Sequence, residues 1–532
     1  MNLAQLAEQS AARLGERMTL VFEGERFTNW QILDWARRLQ EGFVDLGLGR
    51  GKVAILCLAN HPLVYPVFQG IFRAGGTAVP VMPQLAVPEI RYIVSDTGAR
   101  GVVTDTVGLP KVREAVHGLT HVRWIVVRGG GDVPAGSPPE HRLETLLGAS
   151  PRTALPAIDD EDVALMLYTS GTTGTPKGVM LTHANLLASA EGANEAAELD
   201  RWQTRRISVS GMPMAHIFGV GVMNSGYLVP ERLADGYGVQ MARFEPEGFM
   251  QLIQAHRCNV IPAVPTMLAL ILNHPEVSQY DLSCLEEVVC GAAPLPVALA
   301  QAFSQRFGCR VREIYGLTES TGLGSANRLS EPYRPGSAGR AYVNTEVRIV
   351  GGDNQPLPAG ERGEIALRGS SIMKGYHNRP EETATVLRGG WLHTGDVGYL
   401  DADGYLYIVD RQKDMIIRGG ENVYPAELES ILYRYPGVAE AAVVGVPDPV
   451  FGEAVIAYVV AREKGTVTEQ ELIDHVRAHT SPFKAPSRIW FLDALPKSGV
   501  GKILRRELRD RAAREATTAL TTQRRADEDV TR

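Results

Sequence analysis

Along the N-terminal half of the chain, short apolar runs alternate with stretches whose apolar residues recur at three and four. Thr28 and Gln31 are spaced as a capping box. After them Ile32, Trp35, Ala36, Leu39, Phe43 and Leu46 form one helix face that stops at Gly47. Val53 to Leu58 reads as a buried strand, Pro62 to Arg73 as a helix and Thr77 to Val81 as another strand. Gly101 to Thr104, Arg123 to Val127, Val163 to Tyr168, Ile207 to Met212, Asn259 to Val264 and Glu287 to Cys290 continue the strand series. Helices are predicted over Phe249 to His256, Thr266 to Leu272 and Val297 to Phe307. Strands alternating with helices predict parallel α/β sheets, in which ligands collect at the carboxyl ends of strands.

From about Thr345 the texture changes. Thr345 to Val350, Gly363 to Arg368 and Tyr405 to Val409 alternate or run apolar between Gly/Asp turns, which predicts a small antiparallel, β-barrel-like subdomain. Asp401-Ala402-Asp403-Gly404 reads there as a hairpin turn. A calcium loop would need Glu where Gln412 stands, and strand-like Tyr-Leu-Tyr-Ile-Val follows. A second, α+β unit of about a hundred residues starts near Lys413, large enough for its own core. It has a helix from Pro425 to Tyr435 and strands over Val438 to Val446, Ala454 to Ala461 and Arg488 to Leu492. Thr468 and Glu471 cap a helix to about His479, and a last helix begins at Ile503. The expected division is a large N-terminal domain over 1–412, a mobile C-terminal domain over 413–513 and a polar, disordered tail over 514–532.

Composition narrows the class. A chain of 532 residues exceeds one hydrophobic core, and 44% hydrophobic with 22% charged residues is ordinary for a soluble protein. A formal charge of −7 with no dominant basic face argues against a nucleic-acid binder; the Arg-rich segment Arg505 to Arg514 reads as a solvated helix. Five cysteines form no CxxC pair, so reduced thiols are expected and a zinc site is not. Met1 to Leu14 lacks a signal-peptide core, no apolar run reaches about eighteen residues, and the last residues match no sorting signal. A cytoplasmic protein is expected, with a homodimer left open.

The densest chemistry lies after the strand Val163 to Tyr168. Tyr168-Thr169-Ser170-Gly171-Thr172-Thr173-Gly174-Thr175-Pro176-Lys177-Gly178 holds three glycines, four threonines, one serine and one lysine before a helix capped by Thr182. Glycines admit an anion close to the backbone, hydroxyl and N–H groups donate to phosphate oxygens, and lysine adds a point cation. This predicts a phosphate cradle. It is not a Walker A loop, because Pro176 stands where a glycine should precede the lysine and Gly178 follows Lys177.

Further landmarks follow in order: Pro213-Met214-Ala215-His216-Ile217-Phe218-Gly219, Gly291-Ala292-Ala293-Pro294-Leu295 and Tyr315-Gly316-Leu317-Thr318-Glu319. Then come Trp391-Leu392-His393-Thr394-Gly395-Asp396, Asp410-Arg411-Gln412-Lys413-Asp414 and Pro496-Lys497-Ser498-Gly499-Val500-Gly501-Lys502. Taken together these closely resemble the adenylate-forming superfamily, which includes acyl-CoA synthetases, peptide-synthetase adenylation domains and beetle luciferases. The resemblance implies attack of a carboxylate on the α-phosphate of Mg-ATP, releasing pyrophosphate, and then displacement of AMP by a thiol, usually coenzyme A. Two anions must meet in the first step, which calls for fixed cations and oriented donors.

The resemblance also implies residue roles. Thr169, Ser170, Gly171, Thr172, Thr173, Gly174 and Lys177 would hold the β- and γ-phosphates; Glu319 would bind magnesium, with Thr318 donating to the α-phosphate. Tyr315 would stack on adenine, and Asp396 and Arg411 would hold the ribose. Lys502 would carry adenylation by reaching both carboxylate and α-phosphate oxygens. His216 would orient the acid. Gly291, Ala292, Ala293 and Gly316 would let acyl group and adenine approach the backbone. Alone, Tyr315 and His216 read equally as core, Glu319 as a surface carboxylate, Arg411 as a surface ion pair and Lys502 as a solvated charge.

Lys413 matches the hinge about which the C-terminal domain would rotate, presenting Gly419, Gly420 and Glu421 to the pantetheine arm. The run Asp410 to Glu427 looks like that of acyl-CoA synthetases, and Pro213 to Gly219 holds no aspartate to pair an amino group. His216, Phe218, Val220, Gly291 and Gly316 would line the acyl pocket; Phe218, Val220, Val222 and Met223 point to an apolar acid, fatty or aryl. An acid–CoA ligase using ATP, Mg2+ and coenzyme A is the main expectation. Transfer to a carrier-protein phosphopantetheine, an amine or oxygen, and a kinase or non-catalytic nucleotide binder, are the alternatives.

Overall fold

The structure, a computed structural model, describes residues 1–129, 138–170, 175–448, 450–498, 501–512 and 514–515. Two large, mainly parallel sheets build the N-terminal domain. One runs in the order Gly375–Tyr376, Pro176–Thr182, Val163–Ser170, Thr77–Pro80, Val53–Cys57, Gly101–Asp105, Trp124–Arg128, Glu140–Arg142. Its central strands are buried on both faces, as parallel strands under helices must be. The other has nine strands. Arg310–Tyr315, Glu287–Cys290, Val260–Ala263, Ile207–Ser210, Tyr237–Gln240 and Met18–Phe22 form its parallel centre, with short antiparallel partners at both edges.

The capping box at Thr28 is formed, with Gln31 N–H donating to Thr28 Oγ1 at 3.1 Å and Thr28 N–H to Gln31 Oε1 at 2.8 Å. A second one, Asn2 with Gln5, starts the helix Leu3–Leu14, a signal that the sequence carries and that reading for a leader passes over. The segment after the Gly/Thr loop differs from expectation. Pro176–Thr182 is a strand, paired antiparallel with Val163–Ser170. Pro and Gly at its start mask its strand character; a Cβ at Gly178 would lie 2.7 Å from Met166 Sδ, so that side chain would have to shift. The helix capped by Thr182 follows only then, over His183–Ala196.

The antiparallel unit is a five-stranded sheet built on Thr345–Val350, Gly363–Gly369 and Trp391–Leu400, the last paired with both Leu387–Arg388 and Leu406–Arg411. Asp401 to Gly404 is its hairpin turn. Asp401 Oδ1 accepts from Asp403 N–H at 3.0 Å and Tyr405 N–H at 2.9 Å, and Gly404 takes φ +82°. The C-terminal domain packs helices Pro425–Tyr433 and Glu469–His479 on a sheet led by the long hairpin Val438–Asp448 and Gly452–Ala461. Residues 505–512 are helical; the rest of the predicted tail beyond 515 lies outside the described residues. All five cysteines are free thiols. Among the described residues no helix is long and apolar enough to cross a membrane.

Candidate active site

Asp396 on Trp391–Leu400 is the cross-strand partner of Arg411, the last residue of Leu406–Arg411. Arg411 Nε lies 3.1 Å from Asp396 Oδ1, and Asp396 Oδ2 accepts a 2.7 Å hydrogen bond from the Tyr315 hydroxyl. Three elements therefore fix one buried carboxylate. Burial, then the Asp396 charge, push the Tyr315 hydroxyl well above the usual phenol range, so it remains a donor. A carboxylate offers about four lone-pair positions, which leaves Asp396 acceptor capacity for a ligand.

Lys502 reaches the same cavity from the C-terminal domain. Its loop is closed by Ser498 N–H donating to Lys502 O at 2.8 Å and Lys502 N–H donating to Ser498 Oγ at 3.2 Å. Thr266 Oγ1 of the N-terminal domain donates to Gly501 O at 3.2 Å and docks it. Burial first, then Arg411, lower the Lys502 ammonium to about 8, with Lys413 adding in the same direction and Asp396 opposing. Burial, with the Lys502 charge second, lowers His216 to about 4. His216 caps the helix Ile217–Ser225, its Nδ1 accepting from Phe218 N–H at 3.3 Å. An accepting Nδ1 places the proton on Nε2, so His216 is a neutral donor.

Thr169 and Lys177 are register partners that border the same cavity. Gly171, Thr172, Thr173 and Gly174 lie outside the described residues; Ser170 ends the strand before them. Lys177 Nζ pairs with Glu382 and stands 5.4 Å from the centroid of the Tyr376 ring. The Tyr376 hydroxyl donates to Glu319 Oε1 at 2.9 Å, and Met373 N–H donates to Glu319 O at 2.9 Å. No sequence signal marks Tyr376 or Glu382. Among the described residues no cluster of three His, Cys, Asp or Glu could cage a metal. Glu319, with one oxygen engaged, fits magnesium carried in on substrate phosphates, which needs only one or two protein carboxylates.

These groups border one cavity of about 1540 Å³, larger than the roughly 300–1,000 Å³ of a single small-ligand site. Thr318, Ala292, Ala293 and Gly316 lie on its wall, and beyond His216 it continues between Phe218, Val222 and Met223 on one side and Val260, Pro262 and Val264 on the other. Gly316 has no room for a side chain, since a Cβ would lie 2.0 Å from Gly322 O. Tyr315 is buried, and its hydroxyl is held by Asp396. Two expectations need correction. Val220 points into the core under its helix. Gly291 is required by Ile314, whose Cγ1 would be 2.7 Å from a Cβ, and does not face the cavity.

Lys413 borders the cavity beside Arg411, while Gly419, Gly420 and Glu421 do not. Gly419 and Gly420, at φ +62° and +86°, make the turn between Ile416–Arg418 and Glu421–Val423 on the C-terminal domain. The structure thus brings together the lysine loop, His216 and the Asp396–Arg411 pair, and leaves the glycine turn outside.

Residues 7–377 match the family model of the AMP-binding enzyme, and residues 427–502 that of the AMP-binding enzyme C-terminal domain. A feruloyl-CoA synthase of Amycolatopsis sp is 37% identical over 503 residues, covering 94% of this chain and 97% of the other. A long-chain-fatty-acid–CoA ligase of Bacillus subtilis is 35% identical, covering 95% and 94%. Among solved structures, the anthranilate CoA ligase AuaEII in complex with anthranoyl-AMP superposes with TM-score 0.88 at 27% identity, covering 97% and 98% of the two chains.

Proposed function

This chain belongs to the AMP-binding enzyme family, in its acyl-CoA synthetase branch, and from that membership we infer how its own residues divide the work of an AMP-forming acid–CoA ligase. Such a ligase uses ATP, Mg2+ and coenzyme A. The observation that carries the residue assignment is the docked Lys502 loop, which puts its ammonium in one cavity with His216, Asp396 and Arg411.

In the first step an oxygen of the acid attacks the α-phosphorus while the bond to pyrophosphate breaks. Lys502 bridges acid and α-phosphate oxygens, Thr318 donates to the α-phosphate, and neutral His216 donates to the acid without adding a second cation. Asp396, held by Tyr315 and Arg411, accepts from the ribose hydroxyls. Thr169 and Lys177, with the Gly/Thr segment between them, hold the departing phosphates; for this Lys177 must exchange Glu382 for phosphate. Glu319 would hold magnesium, which when bound would neutralise charge on the phosphates. In the second step the thiol sulfur attacks the acyl carbonyl and AMP leaves. Lys413 is the hinge that withdraws the lysine loop and brings Gly419, Gly420 and Glu421 to the pantetheine arm.

The wall beyond His216 supports an apolar acid, aliphatic or aryl. Buried free thiols, with Cys57 and Cys309 pushed up to about 11 by burial, support a reducing, cytoplasmic setting. The functional experiment is pyrophosphate release screened over aliphatic and aryl acids, with and without coenzyme A. AMP, pyrophosphate and a thioester formed with free coenzyme A are expected. ADP as the nucleotide product would overturn the reading, and an acyl product formed only on a carrier protein or amine would move it to the alternative acceptors.

Lys502 also gives the reaction a pH signature. Its working, charged form is present below about 8 in the free enzyme and is lost as pH rises through that value. The kcat/KM for pyrophosphate release, which reports the free enzyme, is expected to fall on the alkaline side of about pH 8. A flat profile from about pH 7 to about 9 would count against a cationic Lys502.

A further inference from the structure

The cavity does not end in hydrocarbon. Arg312 and Ile314 of the strand Arg310–Tyr315 with Gly316 just after it, and Val260 and Pro262 of Val260–Ala263 with Val264 just after it, face it at every second position. The cavity therefore follows the face of the nine-stranded sheet from its carboxyl ends, near His216, to its amino ends, about 13 Å away at the usual rise per residue. Arg206 is at that far end, one residue before the strand Ile207–Ser210. Its side chain is only 22% exposed, and its guanidinium lies over the Trp202 ring at 4.6 Å.

Arg206 has one loose partner. Among the described residues its guanidinium makes no hydrogen bond, and its ion pair is with Glu287 Oε2 at 3.7 Å, an oxygen that itself accepts no hydrogen bond. Glu287 is already engaged through Oε1 by Arg312, which also donates to Asn327 O at 2.6 Å. Glu286, the next carboxylate, accepts from Asn259 Nδ2 at 3.1 Å. Two guanidinium groups thus share one buried carboxylate at the far end of the cavity. Stacking on Trp202 fixes the plane of Arg206 and leaves its edge N–H groups to an in-plane acceptor, a fork that matches a carboxylate.

We propose that this arm selects an acid carrying a second carboxylate at its far end, received by Arg206. The inference rests on the acid–CoA ligase reading. The 13 Å span corresponds to a chain of roughly eight to twelve carbons. A methyl-ended tail would leave the Arg206 donors unpaired, and burying unpaired donors is what makes such discrimination large.

The test measures kcat/KM for pyrophosphate release with acids of equal length ending in methyl, hydroxyl or carboxylate. The dicarboxylate is expected to exceed the methyl-ended acid about tenfold or more. Arg206→Met is expected to reverse that ratio, and Arg206→Lys to retain part of it. Each ratio is taken within one variant, so partial loss of folded enzyme does not affect it. A wild-type preference for the methyl or hydroxyl end, or a ratio unchanged by Arg206→Met, overturns the assignment of Arg206 while leaving the ligase reading standing. Absence of pyrophosphate release with every acid in an enlarged aliphatic and aryl set overturns both.

Discussion

Replacement of Lys502 by alanine is expected to lower acid-dependent pyrophosphate release by roughly 100- to 1000-fold, the range seen when one preorganised charge-stabilising donor is removed. Conversion of supplied acyl-adenylate and coenzyme A to thioester is expected to stay within about twofold of wild type. The first expectation follows from position. Adenylation drives a carboxylate against an α-phosphate, and Lys502 is the ammonium that the closed loop from Ser498 carries into the cavity beside His216. Arg411 cannot substitute, because Asp396 already holds it. The second follows from the hinge: when the lysine loop withdraws, the side chain takes no part. Pyrophosphate release and single-turnover thioester formation, measured on the same preparation, separate the two. Near-wild-type pyrophosphate release would remove Lys502 from the assignment.

The parts of this architecture that were legible in the sequence are those with local signals. Glu287–Cys290 and Val297–Phe307 have the predicted bounds because an apolar run and a helical period are local properties. Capping boxes at Thr28 and Thr468 fixed helix starts for the same reason. The strand Pro176–Thr182 was hidden because its Pro-Lys-Gly opening is tolerated only through pairing with Val163–Ser170. Roles within the site divide likewise. Ordered motifs point to Asp396, Arg411 and Lys502, which border one cavity, but whether a side chain faces that cavity depends on neighbours distant in sequence. Tyr315 turns its hydroxyl to Asp396, 81 residues away, and so becomes a support for the carboxylate. Val220 and Phe218 share a helix and a hydrophobic character, yet Val220 packs in the core while Phe218 borders the cavity. Arg206 could not be singled out from sequence, since its stacking on Trp202 and its loose ion pair with Glu287 are set only in space.

Proline at Lys413 is expected to do the reverse of the Lys502 change, keeping adenylation within about threefold and blocking thioester formation by about 100-fold or more. The backbone around the hinge is tied on both sides: Gln412 N–H donates to Gly395 O at 2.9 Å, and Asp414 and Met415 N–H donate to Arg411 O at 3.0 and 3.1 Å. Lys413 N–H makes no backbone hydrogen bond among the described residues, so proline removes none in this arrangement. What it removes is freedom, since φ is fixed near −65° and Gln412 is steered away from the helical region. Rotation would have to break the bond from Ala426 N–H to Asp410 Oδ2, 2.9 Å, and the Thr266–Gly501 contact. The Asp414–Arg509 pair at 2.7 Å and the Lys484–Glu427 pair at 2.9 Å lie within the moving domain and would travel with it. Interdomain bonds of that kind are weak enough to exchange during turnover, so a frozen hinge and not a tighter interface would account for a selective loss. Lys413→Ala, which discards the charge but leaves the backbone free, is expected to retain both steps within about threefold. Equal loss of both half-reactions in the proline variant would show that Lys413 serves the cavity and not the motion.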